Sequence, residues 1–144
     1  MKNIITILLP LIFLLSACAS AVESPAEAES AEVSSSQVLF QIVKPDGTKF
    51  DVTLDAVKQL QLAQVKAEGK VEEGPYLLDI LALAGVTEFT EVTLTGSSNP
   101  ATLTFKQVDE NTILDFNNHG TMKLSTTYIP KANWTKDVAE IVVK

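Results

Sequence analysis

The stretch EGPYLLDILALAGV, residues 73–86, decides the fold class. Leu77, Leu78, Ile80, Leu81, Leu83 and Ala84 form a broad apolar face at helical spacing, with Asp79 as the one charged interruption. Pro75 lies just ahead, where a missing backbone N–H does no harm, and Gly85 lies where a helix favours glycine at its carboxyl end. The spacing predicts a helix over residues 76–84. A helix with so few polar positions must be nearly enclosed, so the flanking sequence has to supply a sheet.

Outward from this helix, the chain does so. Residues 38–43, VLFQIV, read as a buried strand, and Pro45-Asp46-Gly47 is a turn signal. Phe50, Val52 and Leu54 alternate with polar residues, as on a half-buried return strand. Residues 55–62 place Ala56, Val57 and Leu60 at helical spacing, with Asp55 in the first turn, where the helix dipole favours a carboxylate. Residues 64–71 read as a second extended piece. Downstream, residues 92–95 and 101–105 flank Gly96-Ser97-Ser98-Asn99-Pro100 as a hairpin. Residues 112–116 and 122–124 flank the turn Asn117-Asn118-His119-Gly120, and residues 138–143 alternate as a closing strand. Short strands dominate and two helices are inserted, which describes an α+β domain rather than a βαβ series.

The amino end has a different character. Lys2 precedes an apolar run over residues 4–15, broken only by Thr6 and Pro10, and Leu15-Ser16-Ala17-Cys18 follows. A charged start, a short apolar core and small residues before a cut describe a secretory signal peptide. The run is about a dozen residues, short of the roughly 20 that a spanning helix needs. Leu-Ser-Ala-Cys resembles the lipobox of bacterial lipoproteins. That resemblance implies a diacylglyceryl thioether on Cys18 and cleavage before it, and two or more acyl chains anchor stably to a bilayer. The alternative is an ordinary secreted protein with an incidental cysteine near the cut. The expected organisation is a signal peptide over residues 1–17, then lipidated Cys18 and a spacer over residues 18–37. A domain over residues 38–144 follows, extracytoplasmic and tethered to a cell membrane, or to an outer membrane if the cell has two. The spacer, AVESPAEAESAEVSSSQ over residues 21–37, buries too little apolar area to offset its ordering entropy.

Composition narrows the function. Cys18 is the only cysteine, so once lipidated it leaves no thiol for a disulfide, a metal, a haem or a nucleophile. All 11 basic residues are lysines, they are scattered, and the net charge is -7. Phosphate-rich partners are held by Lys and Arg clusters, so nucleic acid is excluded as a partner and no polybasic membrane patch exists.

Several segments together resemble the molybdopterin-binding domain of the sulfite oxidase family. They are TLDAVKQL at residues 53–60, the opening stretch at 73–86, VTLTG at 92–96, TILDF at 112–116 and ANWTKDVAEIVV at 132–143. The second is similar to that family's G-x-P-L-x-D-L-L-x-x-A-G helix, and the last to its W-V-K-x-V-x-x-I close. The resemblance spans residues 38–144 and implies a strand-rich fold with two short helices. In catalytic members a cysteine thiolate holds molybdenum, and arginines help hold the anionic pterin and an oxyanion substrate. Past Cys18 this chain has neither residue type. The hydroxyls of Ser97 and Ser98 are no substitute for a soft thiolate. The expectation is therefore no cofactor and no catalytic residue, with retained molybdopterin as the alternative.

Four residues make up the expected ligand or partner surface: Asn117, His119, Tyr128 and Trp134. His119 is the only histidine, sits in a turn, and has Asp115 as its nearest acid in sequence; an exposed, unligated ring is the plainer reading. Tyr128 and Trp134 flank Pro130-Lys131-Ala132-Asn133, where two aromatics beside a lysine can clasp a flat ligand, or Trp134 can simply pack over the domain edge. Tyr76 reads as core filler. Glu72 and Glu73, on opposite faces of an extended segment, are expected to be solvated. The chain thus reads as a non-catalytic, tethered module for a small ligand or another envelope protein. The alternatives are a molybdopterin-dependent oxidoreductase or redox-partner subunit, and a structural component of the envelope.

Overall fold

The computed structural model describes residues 36–144; the expected signal peptide, Cys18 and nearly all of the spacer lie outside the described residues. Strand β1 (Val38–Val43) turns back into β2 (Lys49–Thr53). Asp46 Oδ1 stabilises the turn by accepting from Thr48 N at 2.9 Å and Thr48 Oγ1 at 2.7 Å. Helix α1 (Leu54–Lys58) follows directly, capped by the Thr53 hydroxyl, which accepts from Ala56 N. Leu54 thus belongs to the helix and not to the return strand, because the cap at Thr53 starts the helix one residue earlier than the apolar spacing suggested.

Residues 64–71 are not one extended piece. They belong to a hairpin of β3 (Leu62–Ala67) and β4 (Lys70–Pro75), joined by Glu68 and Gly69. Both turn residues have positive φ, 47° and 79°, as a two-residue hairpin turn of this hand requires. Helix α2 (Leu77–Leu83) then runs to Gly85, whose φ of 74° ends it. Leu77, Ile80 and Leu81 are fully buried while Leu78 is 39% exposed, so α2 is covered on one face rather than enclosed. Strands β5 (Glu91–Thr95) and β6 (Ala101–Thr104) form the next hairpin, followed by a single 3-10 turn at Phe105–Gln107. The hairpin of β7 (Thr112–Phe116) and β8 (Met122–Thr126), a 3-10 turn at Lys131–Asn133 and strand β9 (Glu140–Val143) complete the fold.

The main sheet has the order β2-β1-β9-β5-β6. Strand β9 enters its centre, parallel to β1 with Ile42 beside Ile141, and antiparallel to β5 with Leu94 beside Ile141. The sheet packs Phe40, Ile42, Val52, Leu94, Leu103 and Ile141 into one core with the buried face of α2 and with Leu114, Met122 and Leu124 of the third hairpin. That hairpin divides the domain. In the β7–β8 register Leu114 faces Leu124 on the core side, whereas Ile113 pairs with Ser125 and Asp115 with Lys123 on the other. The β3–β4 hairpin covers this second side. The approach is close enough to require glycine: a Cβ on Gly74 would lie 2.0 Å from the Leu114 carbonyl oxygen. The fold is α+β and strand-rich with two helices. Among the described residues no helix is long and apolar enough to cross a membrane.

Candidate functional site

Three loops meet where β9 begins. The β5–β6 turn brings Ser97, the β7–β8 turn brings Asn117 and Thr121, and the approach to β9 brings Asp137. The Asp137 carboxylate accepts from Ser97 Oγ on one oxygen, and from Asn117 Nδ2 at 2.6 Å and Thr121 Oγ1 at 2.5 Å on the other. Asn117 holds its own turn as well, its Oδ1 accepting from His119 N at 2.9 Å and Thr121 N at 3.2 Å. The hydrogen bonds from Ser97, Thr121 and Asn117 hold the Asp137 carboxyl at about 2, well below the usual carboxylate range. The backbones pass close here: a Cβ on Gly96 would lie 2.2 Å from the Lys136 carbonyl oxygen and 2.6 Å from that of Asp137. In front of these groups is a cavity of about 290 Å³ lined by Asn117, Asn118, His119, Lys123, Lys136 and Asp137.

Lys123 connects this cavity to a second polar centre between the β7–β8 and β3–β4 hairpins. Its Nζ lies 2.9 Å from Glu72 Oε2 and 3.0 Å from Asp115 Oδ2, and Lys131 Nζ lies 2.6 Å from Glu72 Oε1. Glu72 is 9% exposed, so it is not the solvated residue its strand position suggested. Alternation correctly places Glu72 and Glu73 on opposite faces. The face carrying Glu72 is covered, and two lysines reach its carboxylate. Burial pushes the Glu72 carboxyl up, and the hydrogen bonds from Lys123 and Lys131 overcome that push and hold it at about 2. For Asp115 burial prevails over Lys123 and raises the carboxyl above its ordinary value. Lys123 is shifted upward: burial opposes its charge, and Glu72 and Asp115 together outweigh burial.

The four residues expected to share a surface separate into three places. Asn117 and His119 line the cavity beside Asp137. Tyr128 lines a different depression of about 420 Å³ with Lys66, Glu68 and Pro130, and its hydroxyl donates to Asp109 at 2.5 Å. Trp134 is 3% exposed, donates from Nε1 to the Ile129 carbonyl at 3.2 Å, and carries Lys131 Nζ 5.1 Å from its ring centre. It packs at the domain edge, supporting the lysine that reaches Glu72. Tyr76 is half-buried and bridges to Ile113. Sequence reasoning missed Asp137, on which Ser97, Asn117 and Thr121 converge. Ser97 and Asp137 are 40 positions apart, and no local pattern links them.

No family model matches this chain, and no curated protein matches it. Its structure is similar to that of the sulfane dehydrogenase SoxCD from Paracoccus pantotrophus, with a TM-score of 0.54 and 15% identity. The match covers 78% of this chain and 39% of that one, so the chain spans well under half the length of the protein it resembles. At that identity the likeness concerns the fold alone.

A molybdenum cofactor of the kind the sulfite-oxidase resemblance implies does not fit the donors present. The described residues contain no cysteine and no arginine. Among them no group of three or more His, Cys, Asp or Glu side chains converges on a point that could hold a metal ion.

Proposed function

We propose that this chain is a tethered, extracytoplasmic and non-catalytic binding module built on a sulfite-oxidase-like, molybdopterin-domain scaffold. The observation that carries the reading is the pairing of a fold like that of SoxCD with a domain that has neither a thiolate nor a guanidinium group. The family resemblance implies a cysteine thiolate on molybdenum and arginines around the pterin, and residues 38–144 supply neither. The tether rests on Leu15-Ser16-Ala17-Cys18. The recognition surface is the opening beside Asn117 and His119, where Lys136 and Asn118 also contribute; the depression beside Tyr128 is separate from it.

The test is natively expressed full-length protein extracted from membranes with detergent. Intact mass should show a diacylated or triacylated amino-terminal Cys18, and metal analysis should show no stoichiometric molybdenum. Molybdenum at one atom per chain overturns the non-catalytic reading in favour of an oxidoreductase subunit. An unmodified Cys18 thiol overturns the tether. Pull-down from membranes, with mass spectrometry of proteins and small molecules, then identifies the bound species. His119→Ala together with Lys136→Ala should release it, and retention in that variant would remove the proposed opening.

A further inference from the structure

The Asp137 carboxylate has an unusual set of neighbours. Ser97 Oγ, Asn117 Nδ2 and Thr121 Oγ1 are all neutral donors, they come from two separate loops, and they converge on one side chain. None of the ion pairs among the described residues involves Asp137. Its backbone has a φ of 46°, in the left-handed region that Asp tolerates better than most side-chain-bearing residues. The cavity of about 290 Å³ opens directly onto the group. Convergent donors, a single anionic acceptor and an open approach are the features of an anion-binding site, with the anion supplied by the chain itself.

We infer that Asp137 is a built-in ligand: its carboxylate occupies an anion site formed by Ser97, Asn117 and Thr121. A free small carboxylate takes that site when the Asp137 side chain is withdrawn. The donors specify the ligand class. Ser97 addresses one oxygen and Asn117 with Thr121 the other, which suits a planar anion with two oxygens. None of the three donors carries a charge, so the set matches the single charge of a carboxylate and not the two of a phosphate or sulfate dianion. In the native chain the tethered carboxylate is present at an effective concentration that millimolar free anions do not match. The site is therefore closed by an autoinhibitory contact. The site lies in the opening assigned above to recognition and rests on that reading for its role, whereas the formate test addresses the loop geometry alone.

Asp137→Gly removes the carboxylate and leaves a residue at ease with the left-handed backbone. Thermal unfolding of this variant is followed in formate, in acetate and in chloride at matched ionic strength, alongside the native chain. Expected is a loss of several degrees in Tm on substitution and a saturable recovery of at least about half of it in formate or acetate, with none in chloride. The native chain should not respond. Adding Ser97→Ala to Asp137→Gly should abolish the recovery. Recovery equal in chloride, or no recovery in any anion, overturns the inference. Should Asp137→Gly not fold alone, its refolding yield in formate against chloride decides in the same way: rescue by formate supports the site, and failure in both overturns it.

Discussion

Glu72 sits between two hairpins with a lysine on each of its oxygens, while Asp137 sits at the rim of three loops and accepts only from hydroxyls and an amide. Both carboxyls are held at about 2. At Glu72, cations overcome the penalty of removing charge from water, so the stabilisation depends on the whole network remaining paired. At Asp137 little desolvation has to be overcome, and oriented neutral donors suffice. The same titration behaviour therefore arises from two designs. One fixes the packing of the β3–β4 hairpin on β7–β8, and the other ties loops together at the rim of a surface opening.

Four measurements sharpen or break this contrast. The largest effect is expected at Gly74, which lets β4 touch β7 beside Glu72. Gly74→Ala sets a Cβ against strand backbone and should lose about 3 kcal/mol in denaturant unfolding. Gly96→Ala, the counterpart beside Asp137, lies in a loop that can shift and should lose about 1–2 kcal/mol. Equal losses would mean that the loop cluster is as rigid as the hairpin contact. Next, Glu72→Ala strands Lys131 and half of the pairing of Lys123 and should lose about 2–3 kcal/mol. A loss below about 0.5 kcal/mol would mean that the lysines re-solvate freely, which marks the network as a surface one.

Acid unfolding comes third. Both carboxyls lie below their ordinary values of 4.5 for Glu72 and 3.8 for Asp137, so the native state binds fewer protons than the unfolded chain. Their stabilisation is complete above those ordinary values and is lost as pH falls towards about 2. Asp115, raised by burial, acts in the opposite sense: the native state regains stability as that group protonates. Glu72→Gln should flatten the stability curve between pH 4.5 and about 2, and an unchanged slope would separate the ion network from acid sensitivity. The smallest effect is expected for Ser97→Ala, which leaves Asp137 two of its three donors and should lower Tm by a few degrees at most.

Much of the fold was legible because its signals are local. Pro45-Asp46-Gly47 and Gly96–Pro100 announce hairpins, and Gly85 ends α2 where the pattern placed it. The β3–β4 turn was hidden because Glu68 carries a left-handed backbone without being Asn, Asp or Gly, the residue types that signal one. The central position of β9 was not legible, since alternation identifies a strand but not its neighbours. Asn117 and His119 were found through turn composition. Their acidic partner Asp137 was not, because 20 residues separate it from Asn117 and only the sheet order brings them together. Trp134 was singled out with Tyr128 as an aromatic pair flanking Pro130–Asn133, yet it is buried and lies beneath Lys131.

The insertion of β9 between β1 and β5 has a consequence for how the protein is made. The hairpins β1–β2 and β5–β6 share no ladder with each other; residues Glu140–Val143 are the only strand that joins them. A growing chain that has not yet reached Val143 therefore presents two unjoined sheet edges at once. Until Glu140–Val143 pairs, each hairpin keeps an unpaired edge, so the five-stranded sheet closes only when its last strand is in place.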